Sequence, residues 1–423
     1  MRVHFTNLGC KLNQAEIERL ARELTAAGHR VVGSLEEADL HVVNSCTVTH
    51  VAARSSRKAA GRARRASLPV RTVLTGCHAS ENPEEAARIA GVDLVVPNSE
   101  KDQLVARVHA AFPEAVPESP EPELPVPFVP LPFGNTRALV KVEDGCNMRC
   151  SFCIIPTTRG RQRSRPVAEV VAEVRGLVRT GYREIVVTGV QISAYRSGEV
   201  RLAGLTRAVL KETDVPRLRL TSIAPWDLDE ELLDLWEDRR LCRHLHLSLQ
   251  SGATETLRRM RRPYTAEGYL RLLEGVRAAI PGVAVTTDVI VGFPGETDDE
   301  FRASLETVEA AGFARVHVFP YSARPGTEAA GMPGPVSPGE KKERMERMLR
   351  LAARAEEGFR RAHLGTTATV LWEKPRDGVG QGLTDNYIRV LSEDGAALWN
   401  RFAEVELLGL AEDGVAGRVL QPQ

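Results

Sequence analysis

Hydrophobic and polar positions follow two different periods along the first 112 residues. Short apolar runs at 3–8, 40–44 and 72–75 have the length of strands covered on both faces. The segments between them, one beginning near Asn13 and one over 51–65, carry apolar residues at helical spacing. Strand and helix in alternation predict a small parallel sheet with helices on its faces. Eight prolines then crowd into PEAVPESPEPELPVPFVPLP, with glutamates and no helical period, which predicts a stiff, extended linker. Beyond it the alternation resumes on a larger scale. Apolar strands at 138–142, 184–188, 218–222, 244–249, 283–291 and 315–319, with helices between them, predict an incomplete parallel barrel of the (β/α)6 kind. A charged helix over 340–361 leads to short strands at 368–372, 387–391 and 402–408, broken by Gly and Asp, which predict a small antiparallel β-barrel. The fold class is therefore α/β: an N-terminal parallel sheet domain over 1–112, the linker over 113–133, the partial barrel over 134–361 and the small β-barrel over 362–423.

Composition adjusts this picture in three ways. The 423 residues suffice for two or three separate cores. Lys and Arg number 56 against 56 Asp and Glu, which excludes a protein that coats nucleic acid by bulk positive charge but leaves room for a local basic groove. No stretch approaches the roughly 18 to 20 apolar residues of a membrane span, and the start MRVHFTNLGC lacks a basic-then-apolar leader, so a soluble cytoplasmic chain is expected. Seven cysteines form an odd, sparse set in a chain too large to need disulfide staples, which points to metal binding or chemistry.

Cys146, Cys150 and Cys153 lie in EDGCNMRCSFCIIP, directly after a predicted strand. Three thiolates so close in sequence can wrap one face of a metal cluster. A zinc ion normally takes a fourth protein ligand, and no further Cys or His lies within the next twenty or so residues. Three ligands to a four-iron cluster leave one iron open for a substrate or cofactor. A zinc knuckle completed from a distance is the alternative. Cys10, Cys46 and Cys77 are too far apart for a local knuckle, and singly each is more often a buried core residue. Yet each sits just past a predicted strand, in HFTNLGC, HVVNSC and TVLTGC. In a parallel sheet those ends share one edge, where open α/β folds place ligands, so the three thiols can converge on a second cluster. Cys242, in LCRHLHLSLQSG, has no such partners and is expected in the core.

The CxxxCxxC loop after the first barrel strand, with the aromatic Phe152 beside its last cysteine, resembles the radical S-adenosylmethionine (SAM) superfamily. Over essentially its whole length the chain resembles the methylthiotransferases, through NSCTVTHVAARSSRK, FCIIPTTRGRQRSRP, IVVTGVQISAY, HLHLSLQSG and TTDVIVGFPGETDDEF. The segments CTVTHVA, PTTRGRQRSRP, TGVQISAY and LCRHLHLSLQSG look most like the branch that acts on threonylcarbamoyladenosine in tRNA. That resemblance implies two 4Fe-4S clusters, one on Cys10, Cys46 and Cys77 and one on Cys146, Cys150 and Cys153. The second would coordinate SAM. The reaction implied adds a methylthio group to carbon 2 of N6-threonylcarbamoyladenosine next to the anticodon. The hydrogen replaced is not acidic, so a radical is needed in place of acid–base catalysis. The partners implied are tRNA, an electron donor of flavodoxin or ferredoxin type and a sulfur donor of unspecified identity. The tail from about residue 365 resembles the TRAM domain, an RNA-binding barrel. Other branches act on isopentenyladenosine in tRNA or on an aspartate of a ribosomal protein, and a non-catalytic zinc and RNA-binding protein is the alternative from another class.

Supporting residues follow from position. Gly189 and Gln191, after the strand EIVVT, lie where such barrels approach the SAM methionine, though a strand-end Gly also suits a plain turn. Ser248, Gln250 and Ser251 end another strand; the family more often has Pro where Ser248 stands. Asp288, Gly292 and Glu296 are candidates for the adenosine side, but GFPGE also has the makings of a turn before a helix. His244 and His246 share a strand face and are expected as satisfied core or barrel histidines rather than ligands. Three basic clusters, Arg54 to Arg65, Arg159 to Arg165 and Arg258 to Arg262, suit a solvated surface one at a time and a phosphate-binding path together. Arg57, Lys58, Arg159, Arg163 and Arg165 are the candidate RNA contacts.

Overall fold

The computed structural model describes residues 1–113 and 136–422, so the expected linker lies, but for its first residue, outside the described residues. The N-terminal sheet has five strands, β1 (Arg2–Asn7), β2 (Arg30–Val31), β3 (Leu40–Ser45), β4 (Arg71–Gly76) and β5 (Leu94–Val96), in the order β2-β1-β3-β4-β5, all parallel. Every residue of the central β3 is buried, which is why LHVVNS shows no strict alternation of apolar and polar residues. The edge strands β2 and β5 are too short to leave a period in the sequence, and both escape the pattern reading. The helix expected over 51–65 breaks at Gly61 into His50–Ala60 and Arg62–Arg65.

Six parallel strands build the barrel: β6 (Arg137–Lys141), β7 (Glu184–Thr188), β8 (Arg217–Leu220), β9 (His244–His246), β10 (Ala284–Val291) and β11 (Arg315–Pro320). They form two three-stranded sheets joined through the bridges Leu218↔Leu241 and Ile223↔Leu247, and the barrel stays open between β6 and β11. The strand expected over 244–249 is regular only over its first three residues and continues through isolated bridges. Helix α1 (Lys11–Ala26) of the first domain packs on β6, at the edge of the open seam, where the Leu139 amide donates to Glu18 Oε2 at 3.2 Å.

The tail is a closed five-stranded barrel: β12 (Thr367–Trp372), β13 (Gly380–Thr384), β14 (Arg389–Ser392), β15 (Phe402–Ala411) and β16 (Gly414–Pro422), ordered β12-β13-β14-β16-β15. The expected all-antiparallel pairing needs correction, because β16 turns back from β15 and seats itself beside β14 in the parallel sense. Gly380–Thr384 and Gly414–Pro422 escape the pattern reading because glycines interrupt their alternation. Trp372 fills the centre, and a Cβ on Gly395 would come within 2.0 Å of its ring.

Arginines fasten this tail to the N-terminal ends of the barrel strands. Arg219 is fully buried; its Nε donates to Glu184 Oε1 at 2.8 Å and its Nη1 to the Asp385 carbonyl at 2.7 Å. Arg217 reaches the Thr369 carbonyl at 2.9 Å, and Arg243 pairs with Asp385 at 2.6 Å. Burial works against the Glu184 charge, but Arg219 and Arg217 outweigh it and hold the carboxyl down at about 2. Removing one partner of such a pair strands the other charge out of water, which typically costs about 3 to 5 kcal/mol. Glu184→Ala is therefore expected to lower the unfolding free energy by about that amount in urea titration, and to expose the tail to limited proteolysis first.

Candidate functional site

The first thiol set is fixed by strand register. Ser45 pairs with Gly76 across β3 and β4, so Cys46 and Cys77, the next residues of each chain, emerge side by side at the C-terminal edge of the sheet. Cys10 caps α1 just after β1 on the same edge. Gly9 sits at φ +109°, and a Cβ there would lie 2.9 Å from Cys46 Cβ and 3.1 Å from its Sγ, so only glycine lets the Cys10 loop close onto Cys46. Burial pushes the Cys46 thiol up to about 11, with the neighbouring Cys77 and Cys10 charges adding to the effect. Burial pushes Cys10 up as well. Two buried thiols that resist ionisation, with a third beside them, suit a metal group whose positive charge offsets their repulsion.

The second set rides on the loop between the short strand Glu143–Asp144 and the helix Ile155–Arg159. The Met148 amide donates to Cys146 Sγ at 3.4 Å, and Arg262 Nη1 donates to Cys150 Sγ at 3.4 Å. Arg262 also lies over the Trp226 ring at 4.9 Å, which fixes its plane. Burial pushes Cys153 up to about 12 and raises Cys146 too. Cys146 Sγ donates to Gln191 Oε1 at 3.7 Å, while Gln191 Nε2 donates to Asp227 Oδ2 at 2.8 Å. Beside them Glu143 Oε2 accepts from the Val190 and Gln191 amides, both at 2.9 Å, and its Oε1 is buried with no partner. Burial pushes the Glu143 carboxyl up to about 8. Gly189 is pressed against Glu143, where a Cβ would meet Oε2 at 2.9 Å. An orphaned acceptor next to the cysteine loop fits a ligand that brings a donor such as an ammonium group.

Phe152 meets Phe293 edge-on at 6.5 Å. Asp288 Oδ2 lies 3.2 Å from His246 Nε2, and Ser248 Oγ lies 3.4 Å from the same nitrogen. His244 and His246 are barrel histidines as expected, both hydrogen-bonded to Thr286 Oγ1, and both also line a cavity of about 870 Å³ at the barrel and tail. Gln250 adopts φ +66°, with its amide bonded to the Asp288 carbonyl at 2.8 Å. Glu296 does not face a nucleoside: it accepts from Gly292 N at 2.8 Å and Arg344 Nη1 at 2.9 Å, and so closes the turn on which it sits. Cys242 is buried, as expected.

The arginines need the largest correction. Arg159 is no RNA contact; it is buried and bridges the two thiol sets. Its Nη1 donates to Glu16 Oε1 and to Asp144 Oδ1, each at 2.9 Å, and its Nη2 to Asn13 Oδ1 at 2.6 Å. Glu16 and Asn13 belong to the helix that Cys10 caps, and Asp144 is two residues before Cys146. Lys101 Nζ at 2.6 Å and Lys141 Nζ at 3.2 Å complete the shell of Glu16. A second clamp joins Arg324 to Thr47 Oγ1 at 2.7 Å and Glu81 Oε1 at 2.9 Å, next to Cys46 and Cys77. Arg165 is committed to Glu173 at 2.6 Å; Arg258, Arg259 and Arg261 pair with Glu255, Glu300 and Glu328. Arg57, Lys58 and Arg163 remain exposed. Sequence reasoning missed Glu143, Glu16 and Asp227; only the EDG before Cys146 carried a signal, an acidic pair abutting a thiol motif.

Among the described residues no three His, Cys, Asp or Glu side chains converge as the ligands of a single metal ion do. A zinc ion needs its ligands about 2.0 to 2.3 Å from one point, whereas a four-iron cluster asks for one thiolate on each of three separate irons. Residues 140–308 match the radical SAM superfamily, and residues 2–97 match the Uncharacterized protein family UPF0004. The chain is 36% identical over 419 residues, covering 98% of itself and 97% of the relative, to a threonylcarbamoyladenosine tRNA methylthiotransferase, MtaB, of Chlamydia pneumoniae. The chain belongs to the radical SAM methylthiotransferase family. It is also 36% identical over 434 residues, 97% of each chain, to a tRNA-2-methylthio-N(6)-dimethylallyladenosine synthase of Cereibacter sphaeroides. A solved radical S-adenosylmethionine methyltransferase, TsrM, from Kitasatospora setae, with cobalamin and a 4Fe-4S cluster bound, shares the fold with a TM-score of 0.59 at 18% identity, over 78% of this chain and 77% of its own.

The reassignment of Arg159 gives a direct contrast. Arg159→Ala is expected to lower the unfolding free energy by about 3 to 5 kcal/mol, because it leaves Glu16 and Asp144 short of their bridging cation, whereas Arg163→Ala should stay within about 0.5 kcal/mol. Chemical denaturation of the two variants checks this.

Proposed function

We propose that the chain is a tRNA-modifying enzyme that adds a methylthio group to carbon 2 of N6-threonylcarbamoyladenosine beside the anticodon. The observation that carries this reading is the pair of thiol sets bridged across the domain junction by Arg159, in a chain similar over its whole length to enzymes of that name. Cys10, Cys46 and Cys77 would hold one 4Fe-4S cluster, and Cys146, Cys150 and Cys153 the other, with SAM on its open iron. When bound, these groups supply a carbon radical able to take a non-acidic hydrogen, and a site for the incoming sulfur.

The chain's own residues do the rest. Arg262 donates to Cys150 Sγ and sets a positive charge beside it. Glu143 and Gln191, with the close approach that Gly189 permits, offer acceptors beside Cys146 for the amino group of SAM. Asp288, with Ser248 and Gln250 at the end of the neighbouring strand, presents polar groups to the lumen on the SAM side. Arg57, Lys58 and Arg163 are left free to meet tRNA phosphates, which fix register without reading sequence. The reading places the protein in the cytoplasm with its tRNA, fed by a flavodoxin- or ferredoxin-like electron donor; among the described residues no helix is long and apolar enough to cross a membrane. The domain limits 1–112, 134–361 and 362–423 belong to the same proposal. The relative acting on dimethylallyladenosine, equal in identity, keeps that substrate as the second reading.

Loss of the gene is expected to remove the methylthio group from threonylcarbamoyladenosine in tRNA digests read by mass spectrometry; unchanged nucleosides would sink the proposal, and loss from dimethylallyladenosine would shift it to the second reading. Anaerobically purified protein should carry about eight irons, and a colourless protein with zinc and little iron contradicts the cluster assignment. Cys150→Ala should abolish SAM cleavage, whereas Cys46→Ala should spare cleavage and stop sulfur insertion. Equal loss in both would refute that division.

A further inference from the structure

The barrel lumen contains the cavity of about 870 Å³, and all three parts of the chain line it: Lys11 from the first domain, His246, Arg315 and His317 from the barrel, Tyr387 and Arg389 from the tail. It sits at the N-terminal ends of the barrel strands, against the tail, and two of its lining residues lead toward the thiol sets. Lys11 directly follows Cys10. On the barrel side Ser248 Oγ touches His246, and the Ser248 carbonyl accepts from Arg262 Nη2 at 3.4 Å, the same guanidinium that donates to Cys150.

The lining mixes basic and acidic side chains, and what it offers a guest depends on which of them are already paired. Arg137 and Arg360 face inward but are already paired, with Glu373 at 3.0 Å and with Glu356. Lys11, Arg315 and Arg389 have no carboxylate partner among the described residues. Two lining acids, Glu412 and Asp413, are also unpaired, and both belong to the exposed turn between β15 and β16 at the rim. His244 Nδ1 is buried with no hydrogen-bond partner. Tyr387 is an independent marker. It holds φ +65°, a left-handed conformation that costs a bulky residue energy and is kept where the surroundings enforce it. Those surroundings are cationic: the Arg219 guanidinium lies 3.8 Å from the ring centroid, the Lys11 ammonium 5.2 Å, and Arg137 Nη1 donates to the phenol at 2.9 Å. Lys11 is thereby held over the chamber from the segment that carries Cys10.

The geometry points to this chamber as the site that reads the substituent on the substrate adenine, with Lys11, Arg315 and Arg389 receiving its carboxylate. This rests on the proposed function and deepens it. A threonylcarbamoyl group keeps the carboxylate and hydroxyl of threonine, whereas a dimethylallyl group has neither: it would set an apolar group against these cations and leave the buried His244 Nδ1 without a partner. A site built around polar groups rejects the analogue that lacks them far more strongly than an apolar pocket rejects an added polar group. The lining thus favours one of the two substrate readings that sequence identity leaves level.

The test measures binding, by fluorescence anisotropy, of the anaerobically purified holoenzyme to anticodon stem-loops that differ only in the purine: threonylcarbamoyladenosine, dimethylallyladenosine or unmodified adenosine. The wild-type protein is expected to prefer the first over the other two by about tenfold or more, and Lys11→Met and Arg315→Gln are each expected to bring the ratio toward one. A ratio that survives in both variants, or a wild-type preference for dimethylallyladenosine, overturns the assignment. The ratio is insensitive to partial loss of folded protein, which lowers all three signals together. Nucleoside mass spectrometry separates the two layers. If the gene proves necessary for methylthio-threonylcarbamoyladenosine while both variants keep the ratio, this inference alone falls. If it proves unnecessary, the proposed function falls with it.

Discussion

Glu16 is a carboxylate taken out of water, and three cations keep it charged. Burial alone would neutralise it, but Arg159, Lys101 and Lys141 outweigh that cost and hold its carboxyl well below the usual range. An apolar contact of similar area would have bound the two domains at least as tightly, and would have tolerated sliding. A buried charge does not tolerate it, because each ångström of misplacement leaves an ion unpaired. The registry of Cys10 against Cys146 therefore hangs on this contact. Arg159 touches Asn13 and Glu16 on one side and Asp144 on the other, so the helix capped by one thiol and the strand preceding another are tied to a single guanidinium. Two clusters that share one substrate need that fixed separation more than they need stability.

The thiols themselves are poor ligands until metal arrives. Burial holds Cys46 and Cys153 protonated at neutral pH, so loading a cluster must expel protons and replace them with metal charge. Donors already meet three of the thiols: Arg262 reaches Cys150, the Met148 amide reaches Cys146, and the Asn98 side-chain amide reaches Cys77 at 3.8 Å. The buried Arg159 sets a positive charge beside the first set, opposing the burial that raises Cys10.

The cysteines and most of the strands were legible because each signal was local. A strand of five or six apolar residues announces itself, and a thiol just beyond it inherits its position from the sheet. Two-residue strands such as Arg30–Val31 carry no period, and the tail strands at Gly380 and Gly414 lose theirs to glycine. The arginines failed for a different reason. Charge in a sequence says nothing about its partner: Arg159 reaches Glu16 across 143 residues, Arg262 reaches Cys150 across 112, and Arg259 reaches Glu300 across 41. Arg159 reads as an exposed RNA contact in PTTRGRQRSRP, yet its neighbour Arg163 is exposed and it is not. Glu296, in GFPGE, was legible as a turn residue and proved to be one.

The zero net charge has its explanation in this partition. Most arginines here are structural: they hold the tail to the barrel, the first domain to the barrel, and the turns of the barrel to themselves. Each such arginine has an acid beside it, and the pairs cancel in the total. Among the cations without a carboxylate partner are those of the outer helix around Arg57, the exposed Arg163 and those of the chamber around Lys11. The exposed row around Arg57 suits a phosphate backbone, whereas Lys11, Arg315 and Arg389 stand around a cavity beside the buried His244. On the reading proposed above the substrate purine enters that cavity, so base and backbone are recognised by separate cations, and specificity for the purine substituent can change without loss of affinity for the RNA that carries it.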